Sequence, residues 1–444
     1  MMTVSHSQNL GILLNKLERN FNVTKMADFT HLVNFSESRK LPIHRWLNYR
    51  EGYSPSLVSY FVKQLSPSNF VLDPFCGSGT SLVTSKYSGC NAYGIDTNPI
   101  AILASTVKTQ SYNTEDILSI QNIIREILSG YIRAKVKAPN FSSINKVFDA
   151  EILADLLSLR QMIINLENKI PPHTYNFIFL AWIAILEPLS YTYKEGNGIK
   201  YRKKITFSPC INLHESTIES TLAKNLVQQA FIDKCNEMLQ DIEQNCEIPS
   251  GSVQIIQGSC LEEIDRIENR LDLVIGSPPY ANRFDYFEIY KVELWMSGIL
   301  KSYEEFRERR KKIIRSNLMT SALDDSIVSI PELEYFINLM NPKSATEKRI
   351  VIMLRNYFAD MYKLYESSYE KLNIGGKMVL VIGNSAYMNT LVPVDLLLAT
   401  IASKIGFKEI RINVARTLTT SSQQRLNLNA HVDFLRESIL EVIK

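Results

Sequence analysis

The chain has 444 residues, 45% of them hydrophobic and 21% charged, and its 49 Lys and Arg nearly balance its 46 Asp and Glu. This length suggests two or three domains, and the composition argues against a disordered chain. No apolar run approaches the ~18 residues of a membrane span, and the N-terminus lacks the pattern of a secretory signal. Six cysteines show neither a C-x-x-C pair nor a histidine at zinc-ligand spacing. We therefore expect a reduced, cytoplasmic protein with no membrane contact and no metal site, and with a net charge of only +3 a polyanion would need a locally basic face.

Residues 69–96 read as a strand, a glycine turn, a helix and a second strand, which is how a doubly wound parallel sheet begins. Further strands are predicted at 252–258, 271–277 and 377–383. The sequence between the strands at 69–96 and 252–258 has helical periodicity, most clearly at 152–170 and 219–245. Because a crossover between parallel strands needs little more than a dozen residues, we expect a helical insertion in an α/β sheet.

The glycine turn, DPFCGSGT at 73–80, lies between a predicted strand and a predicted helix. Gly77 and Gly79 allow the backbone to approach a ligand closely, and the helix N-terminus offers free N–H groups. The turn lacks the third glycine of a dinucleotide fingerprint and the Gly-Lys-Ser/Thr of a phosphate loop. Asp96 ends the next strand, where a carboxylate can accept hydrogen bonds from both hydroxyls of a ribose. The pattern predicts a nucleoside pocket; the alternative is a helix-cap turn with a surface aspartate.

A second turn, Ser277-Pro278-Pro279-Tyr280, follows the strand predicted at 271–277. The prolines fix φ and remove two N–H donors, so the carbonyls of the turn point in fixed directions. The end of a parallel strand borders the crevice in which such sheets bind ligands. There the Ser277 hydroxyl and the Pro278 carbonyl can accept hydrogen bonds from an amino group, and Tyr280 offers a flat face to a planar base. A rigid exposed turn is the alternative.

With these motifs the chain resembles the S-adenosylmethionine-dependent DNA amino-methyltransferases. The matching text is DPFCGSGT (73–80), IDTNP (95–99), SPPY (277–280) and the segment 44–61, which is similar to the motif that closes the methionine side of the cofactor pocket. In that family a tetrapeptide that begins with Ser usually accompanies N4-cytosine methylation, and one that begins with Asp or Asn usually accompanies N6-adenine methylation. The resemblance covers about 44–100 and 252–440, and implies a Rossmann-like methyltransferase sheet.

The resemblance also implies roles for individual residues. The catalytic turn would be Ser277, Pro278, Pro279 and Tyr280. Phe75 would contact the methionine moiety of S-adenosylmethionine, and Asp96 would hold its ribose. Ser259 occupies the position at which the family often has an acidic residue that binds the amino group of adenine. The full set of expected cofactor-binding residues is Tyr53, Ser54, Asp73, Phe75, Cys76, Gly77, Ser78, Gly79, Thr80, Asp96, Thr97, Ser259 and Cys260.

Aromatic and cationic residues surround a Gly-Asn-Gly in the segment 191–204. Such a loop can fold over a duplex and contact phosphates, although a solvated turn can have a similar sequence. The basic run at 307–315 fits a phosphate contact and a solvated helix face equally well. The candidate nucleic-acid contacts are Lys194, Asn197, Lys200, Arg202 and Lys203, with Arg283 bordering the flipped base.

The expected organisation is a catalytic domain interrupted by the insertion. Residues 1–104 hold an N-terminal segment and the first part of the cofactor-binding domain, 105–250 form the insertion and a candidate DNA-recognition region, and 251–444 complete the domain, with a candidate DNA-contacting appendage at 299–345. The expected partners are double-stranded DNA and, in a restriction-modification context, a cognate restriction endonuclease; no oligomeric state is predicted.

The leading prediction is methylation of the N4 amine of a flipped cytosine in duplex DNA. The alternatives are N6-adenine methylation, an RNA amino-methyltransferase and a cofactor-binding specificity subunit without turnover. Pro209-Cys210 resembles the nucleophile of the cytosine-C5 methyltransferases, but the partner Glu-Asn-Val of that chemistry does not follow, and we expect Cys210 to be a packing residue.

Overall fold

The structure is a computed structural model that describes residues 4–50, 52–195, 198–207, 218, 223–245, 251–318, 330–418 and 428–444. The strands are β1 (Asn22–Lys25), β2 (Phe70–Asp73), β3 (Asn91–Asp96), β4 (Thr192–Glu195), β5 (Gly198–Tyr201), β6 (Val253–Gln257), β7 (Leu271–Gly276), β8 (Leu372–Gly383), β9 (Ser385–Tyr387), β10 (Thr390–Val392), β11 (Glu409–Thr417) and β12 (Arg436–Ile443). The helices are α1 (Val4–Glu18), α2 (Pro55–Val62), α3 (Thr80–Tyr87), α4 (Pro99–Thr109), α5 (Thr114–Ser129), α6 (Ile144–Val147), α7 (Ala150–Ile164), α8 (Pro172–Ala184), α9 (Leu226–Gln244), α10 (Cys260–Glu263), α11 (Tyr286–Ile289), α12 (Lys291–Met296), α13 (Tyr303–Arg310), α14 (Pro331–Met340), α15 (Ala345–Lys371) and α16 (Val394–Ile405).

Eight of the described strands form one sheet, in the order β1-β11-β12-β8-β7-β2-β3-β6. Every neighbouring pair is parallel except those of β12, which runs antiparallel to both β11 and β8. The five strands predicted from the sequence all lie in this sheet, as β2, β3, β6, β7 and β8. The predicted α/β class with a doubly wound, Rossmann-like sheet is confirmed.

Helices cover both faces of the sheet, which explains why its central strands are rich in apolar residues. In β7, Leu273 and Ile275 pack on the face covered by α2. Val274, between them, packs on the opposite face with α15 and α16. Because successive side chains of a strand point to opposite faces, burial on both sides favours apolar residues at consecutive positions, as at 273–275.

The direction of winding reverses at β2. From β2 the chain continues through β3 to β6 on one side, whereas β7 and β8 lie on the other. β2 and β7 are direct parallel neighbours, with Leu72 paired to Val274. Their carboxyl ends therefore meet at the same edge, at the switch point where sheets of this kind bind ligands.

The insertion contains α5 to α9, and its core is continuous with apolar residues of α4 such as Ile100 and Val107. The predicted helical segments correspond to α7 and α9, while the hairpin β4–β5 was not predicted as strands. Asn98 caps α4 by accepting a hydrogen bond from the Ile100 N–H. Since α4 continues to Thr109, the boundary expected at residue 105 falls inside a helix. No helix in the described part of the chain has both the length and the apolar composition that crossing a membrane requires.

Candidate active site

A cavity of about 330 Å³ lies at the carboxyl ends of β2 and β7. The glycine turn and the Ser-Pro-Pro-Tyr turn approach closely here, because a Cβ added to Gly276 would lie 3.0 Å from Asp73 Oδ1. Of the predicted residues, those that line the cavity are Tyr53, Asp73, Phe75, Cys76, Gly77, Ser78, Thr80, Asp96, Thr97, Ser259, Cys260, Ser277 and Pro279. The structure thus brings both predicted turns to one cavity.

The glycine turn adopts a backbone that favours glycine at two positions. Gly77 has a φ of 49° and Gly79 a φ of 86°. The Gly77 N–H donates to Asp96 Oδ2 over 2.9 Å, so the turn and the end of β3 are directly joined. A Cβ on Gly79 would lie 3.1 Å from the Ser105 Cα, and Gly79 packs against α4 without lining the cavity.

Two carboxylates line the cavity and both are held by hydrogen bonds. Asp73 accepts from the Tyr53 hydroxyl (2.8 Å), from the Phe75 N–H (2.9 Å) and from the Ser81 hydroxyl. Asp96 accepts from the N–H groups of Gly77 and Asn98. Burial raises the pKa of each carboxyl to about 6, against the lowering effect of these donors.

In the Ser-Pro-Pro-Tyr turn, Ser277 and Pro279 line the cavity, whereas Pro278 and Tyr280 do not. The Ser277 hydroxyl donates to the Val381 carbonyl over 3.3 Å, so its lone pairs remain available to an incoming donor.

The half-buried Tyr280 lies behind this turn, and its hydroxyl donates to Glu437 Oε1 over 2.7 Å. Arg416 Nε binds the other oxygen of the same carboxylate, at 2.5 Å. The Tyr280 ring packs so closely on Gly383 that an added Cβ there would lie 2.7 Å from two ring carbons. Its orientation is fixed at both ends.

The lining also includes residues outside the expected set of site residues, among them Phe35, Ser38, Arg39, Tyr49, Asn98, Tyr286, Lys312, Ile313 and Ile314. Tyr49 lies within the segment 44–61 that the resemblance had marked, so that motif could have identified it. Lys312 belongs to the predicted appendage, and nothing in the surrounding sequence distinguishes it from the neighbouring cationic residues.

Several predicted contacts lie away from the cavity. Ser54 is buried, where it caps α2 and bonds to Glu37. Lys194 is buried between Glu187 (2.7 Å) and Glu293 (2.5 Å), a position at odds with a phosphate contact, because both carboxylates already occupy its ammonium.

The other predicted nucleic-acid residues differ in exposure. Arg202 is half-buried and donates to the carbonyls of Glu187 and Ser190. Lys200 is exposed and pairs with Glu195, and Lys203 and Arg283 are also exposed. Asn197 and Cys210 lie outside the described residues.

The sheet and its cavity have the architecture of a Rossmann-like methyltransferase. The chain is, moreover, a homologue of type II methyltransferases. It is 29% identical to the type II methyltransferase M.BsoBI of Geobacillus stearothermophilus, over 92% of this chain and 87% of that protein. It is 24% identical to M.AvaI of Anabaena variabilis (89% and 85%) and 23% identical to M.MvaI of Kocuria varians (88% and 87%). No family model matches the chain.

These similarities extend beyond the motifs. The alignment with the Geobacillus protein covers 92% of the chain and therefore extends into residues 105–250.

Proposed function

We propose that the protein is a DNA methyltransferase of a restriction-modification system that transfers a methyl group from S-adenosylmethionine to the N4 amine of a cytosine flipped out of duplex DNA. The observation that supports this most directly is the shared cavity. Residues suited to a nucleoside and residues suited to an amino group line the same space, at the switch point of the sheet.

The residues of the cavity fit the cofactor. The Asp96 carboxylate suits the two ribose hydroxyls, and Phe75 lies beside it for the methionine moiety. Tyr49 closes over the turn, because a Cβ on Gly77 would lie 2.8 Å from its ring. When bound, S-adenosylmethionine supplies an activated methyl group, so the protein needs only to aim a nucleophile at it.

Ser277 would orient the nucleophile, the exocyclic amine, toward the methyl group. The lone pair of an exocyclic amine is delocalised into the base and must be directed away from the ring to attack. Because the Ser277 hydroxyl donates to Val381, its oxygen is free to accept a hydrogen bond from the amine. That bond would favour a pyramidal nitrogen. The assignment to cytosine depends on the serine at position 277, which in the resembling family usually accompanies N4 methylation.

The target amine is hidden in a base pair, so the nucleotide must swing out, at a cost of a few kcal/mol. Stacking on an aromatic face would recover about 1–3 kcal/mol per base. Tyr286, which lines the cavity, would provide that face. Tyr280, held by Glu437 behind the Ser-Pro-Pro-Tyr turn, would keep that turn in position. At the mouth, the exposed cations Arg39 and Lys312 would contact the flanking phosphates.

The test is product identification. The purified protein is incubated with methyl-labelled S-adenosylmethionine and either duplex DNA or RNA, and the product is digested to nucleosides. Labelled N4-methyldeoxycytidine supports the proposal. Labelled N6-methyladenine would replace the target base, label only in RNA would replace the substrate, and no label in any substrate would favour a binding subunit. A Ser277→Ala variant, which should still bind S-adenosylhomocysteine, is the matched control.

A further inference from the structure

One wall of the cavity is a segment with little regular structure of its own. Residues 43–50, here called the closing segment, contribute His44, Leu47 and Tyr49 to the lining, and their only helical turn is three residues long. Ile43, at its start, has a φ of 66°, a left-handed backbone that β-branched residues rarely adopt. Such a conformation persists only where surrounding contacts impose it.

The contacts at its start come from the helical insertion. The Asp241 carboxylate, on α9 and fully buried, accepts hydrogen bonds from the Ile43 N–H (2.8 Å), from Trp46 Nε1 (2.9 Å) and from two nitrogens of Arg45 (2.5 and 3.1 Å). A buried carboxylate requires such donors, and here all four come from the closing segment.

The contacts at its end come from the catalytic domain. The ring of Tyr49 stacks on Tyr290, with centroids 4.6 Å apart and planes 8° from parallel, and the Arg50 N–H donates to the Tyr290 hydroxyl over 2.7 Å. The hairpin β4–β5 supports this stack, because Lys194 Nζ lies 4.9 Å from the centre of the Tyr290 ring. The insertion therefore contacts the closing segment directly at its start and supports it only through Tyr290 at its end.

We propose that Asp241 is a positioning residue for the cofactor. By holding residues 43–46, it shapes the wall that keeps Tyr49 over the glycine turn. The insertion is then a working part of the cofactor site as well as a candidate for DNA recognition. This inference rests on the proposed function, in that the ligand of the cavity is S-adenosylmethionine.

The experiment compares two buried aspartates of the insertion. Asp241→Asn keeps the shape but replaces an acceptor by an amide, whose N–H₂ must face a donor of the closing segment. Asp155→Asn is the matched control, because Asp155 is also buried and bound by an arginine, Arg133, but does not touch the closing segment.

Binding of S-adenosylhomocysteine is measured by titration calorimetry below both melting temperatures. We expect Asp241→Asn to weaken binding about tenfold or more, the loss of one good charged hydrogen bond, and Asp155→Asn to change it by less than about twofold. In a transfer assay, Asp241→Asn should raise the KM for S-adenosylmethionine and leave kcat at saturation nearly unchanged. A general loss of structure would not separate the two constants.

A milder pair keeps the test valid if Asp241→Asn does not fold. Trp46→Phe removes only the indole bond to Asp241, and Trp182→Phe removes a similar bond, to the Leu156 carbonyl, elsewhere in the insertion. Weaker binding for Trp46→Phe alone supports the inference. Equal effects within either pair overturn it while leaving the proposed function intact, whereas a wild-type protein that binds no S-adenosyl compound overturns both.

Discussion

Gly383 offers a direct test of whether the orientation of the Tyr280 ring controls methyl transfer. Its φ lies outside the left-handed region, so alanine is compatible with the backbone. The added Cβ would, however, lie 2.7 Å from Cδ2 and Cε2 of Tyr280, where ordinary contacts are 3.4–4 Å. Because Glu437 fixes the far end of the ring, the ring must shift by about 1 Å. A displacement of that size costs about 100-fold in rate when it misplaces a reacting group.

We therefore expect Gly383→Ala to lower single-turnover methyl transfer about 100-fold and to change the affinity for S-adenosylhomocysteine by less than about twofold. Overpacking should also cost about 1–3 kcal/mol of stability, which a melting curve detects. Gly198→Ala is the control, because an added Cβ there has nothing within 4 Å.

A double-mutant cycle identifies the cause. Tyr280→Ala removes the ring, and by itself should abolish most transfer while preserving cofactor binding. In that background Gly383→Ala should have little further effect, because its Cβ no longer meets the ring. If the two losses multiply instead, the reasoning about Tyr280 is refuted.

The remaining predictions concern pH, stability and DNA binding. Because burial raises the pKa of Asp73 and Asp96 to about 6, both lose their charge as the pH falls through that value. Since the ribose contact depends on the Asp96 carboxylate, S-adenosylhomocysteine should bind fully above about pH 7 and about tenfold more weakly at pH 5, and a flat profile from pH 7.5 to 5 would contradict this. Lys194→Met would leave the buried carboxylate of Glu293 and the half-buried carboxylate of Glu187 without their cation, and should cost about 3–5 kcal/mol in denaturant unfolding. The exposed Lys200→Met should leave the melting temperature nearly unchanged, and equal losses would show that Lys194 is not a structural ion pair. Lys312→Ala should weaken duplex binding and reduce the slope of log affinity against log salt by about 0.9, with cofactor affinity retained; an unchanged slope would remove Lys312 from the phosphate contacts.

The sequence predicted the parts of the fold that depend on local pattern. β2 and β7 are short, mostly apolar and followed by turn residues, so the strand, the turn and the ligand-binding edge could be predicted from consecutive residues. Because the sheet was predicted to be parallel, the carboxyl ends of these two strands were expected at the same edge. β12 could not be placed in this way, since its position between β8 and β11 depends on pairing with strands that come earlier in the chain.

The parts of the site that could not be predicted depend on distant partners. Lys194 lies in a run of cationic and aromatic residues, a pattern that is typical of a surface. Its partner Glu293, however, lies on α12, 99 residues later in the chain. Lys312 lines the cavity although its own segment also fits a solvated helix face. In each case the decisive contact is formed by residues that folding alone brings together, and a single sequence carries no signal for it.

The thiols of the cavity bear on which base position is methylated. Cytosine-C5 methylation proceeds through a thiolate that attacks the ring, so it requires a cysteine with a lowered pKa. Cys76 and Cys260 both line the cavity, but burial raises the pKa of each thiol well above its usual value, and the nearby carboxylate of Asp96 raises both further. These thiols are protonated at neutral pH and are poor nucleophiles. Direct transfer to an exocyclic amine needs no covalent bond to the protein, only a fixed acceptor beside the donor methyl group, which is what Ser277 and its bond to Val381 offer.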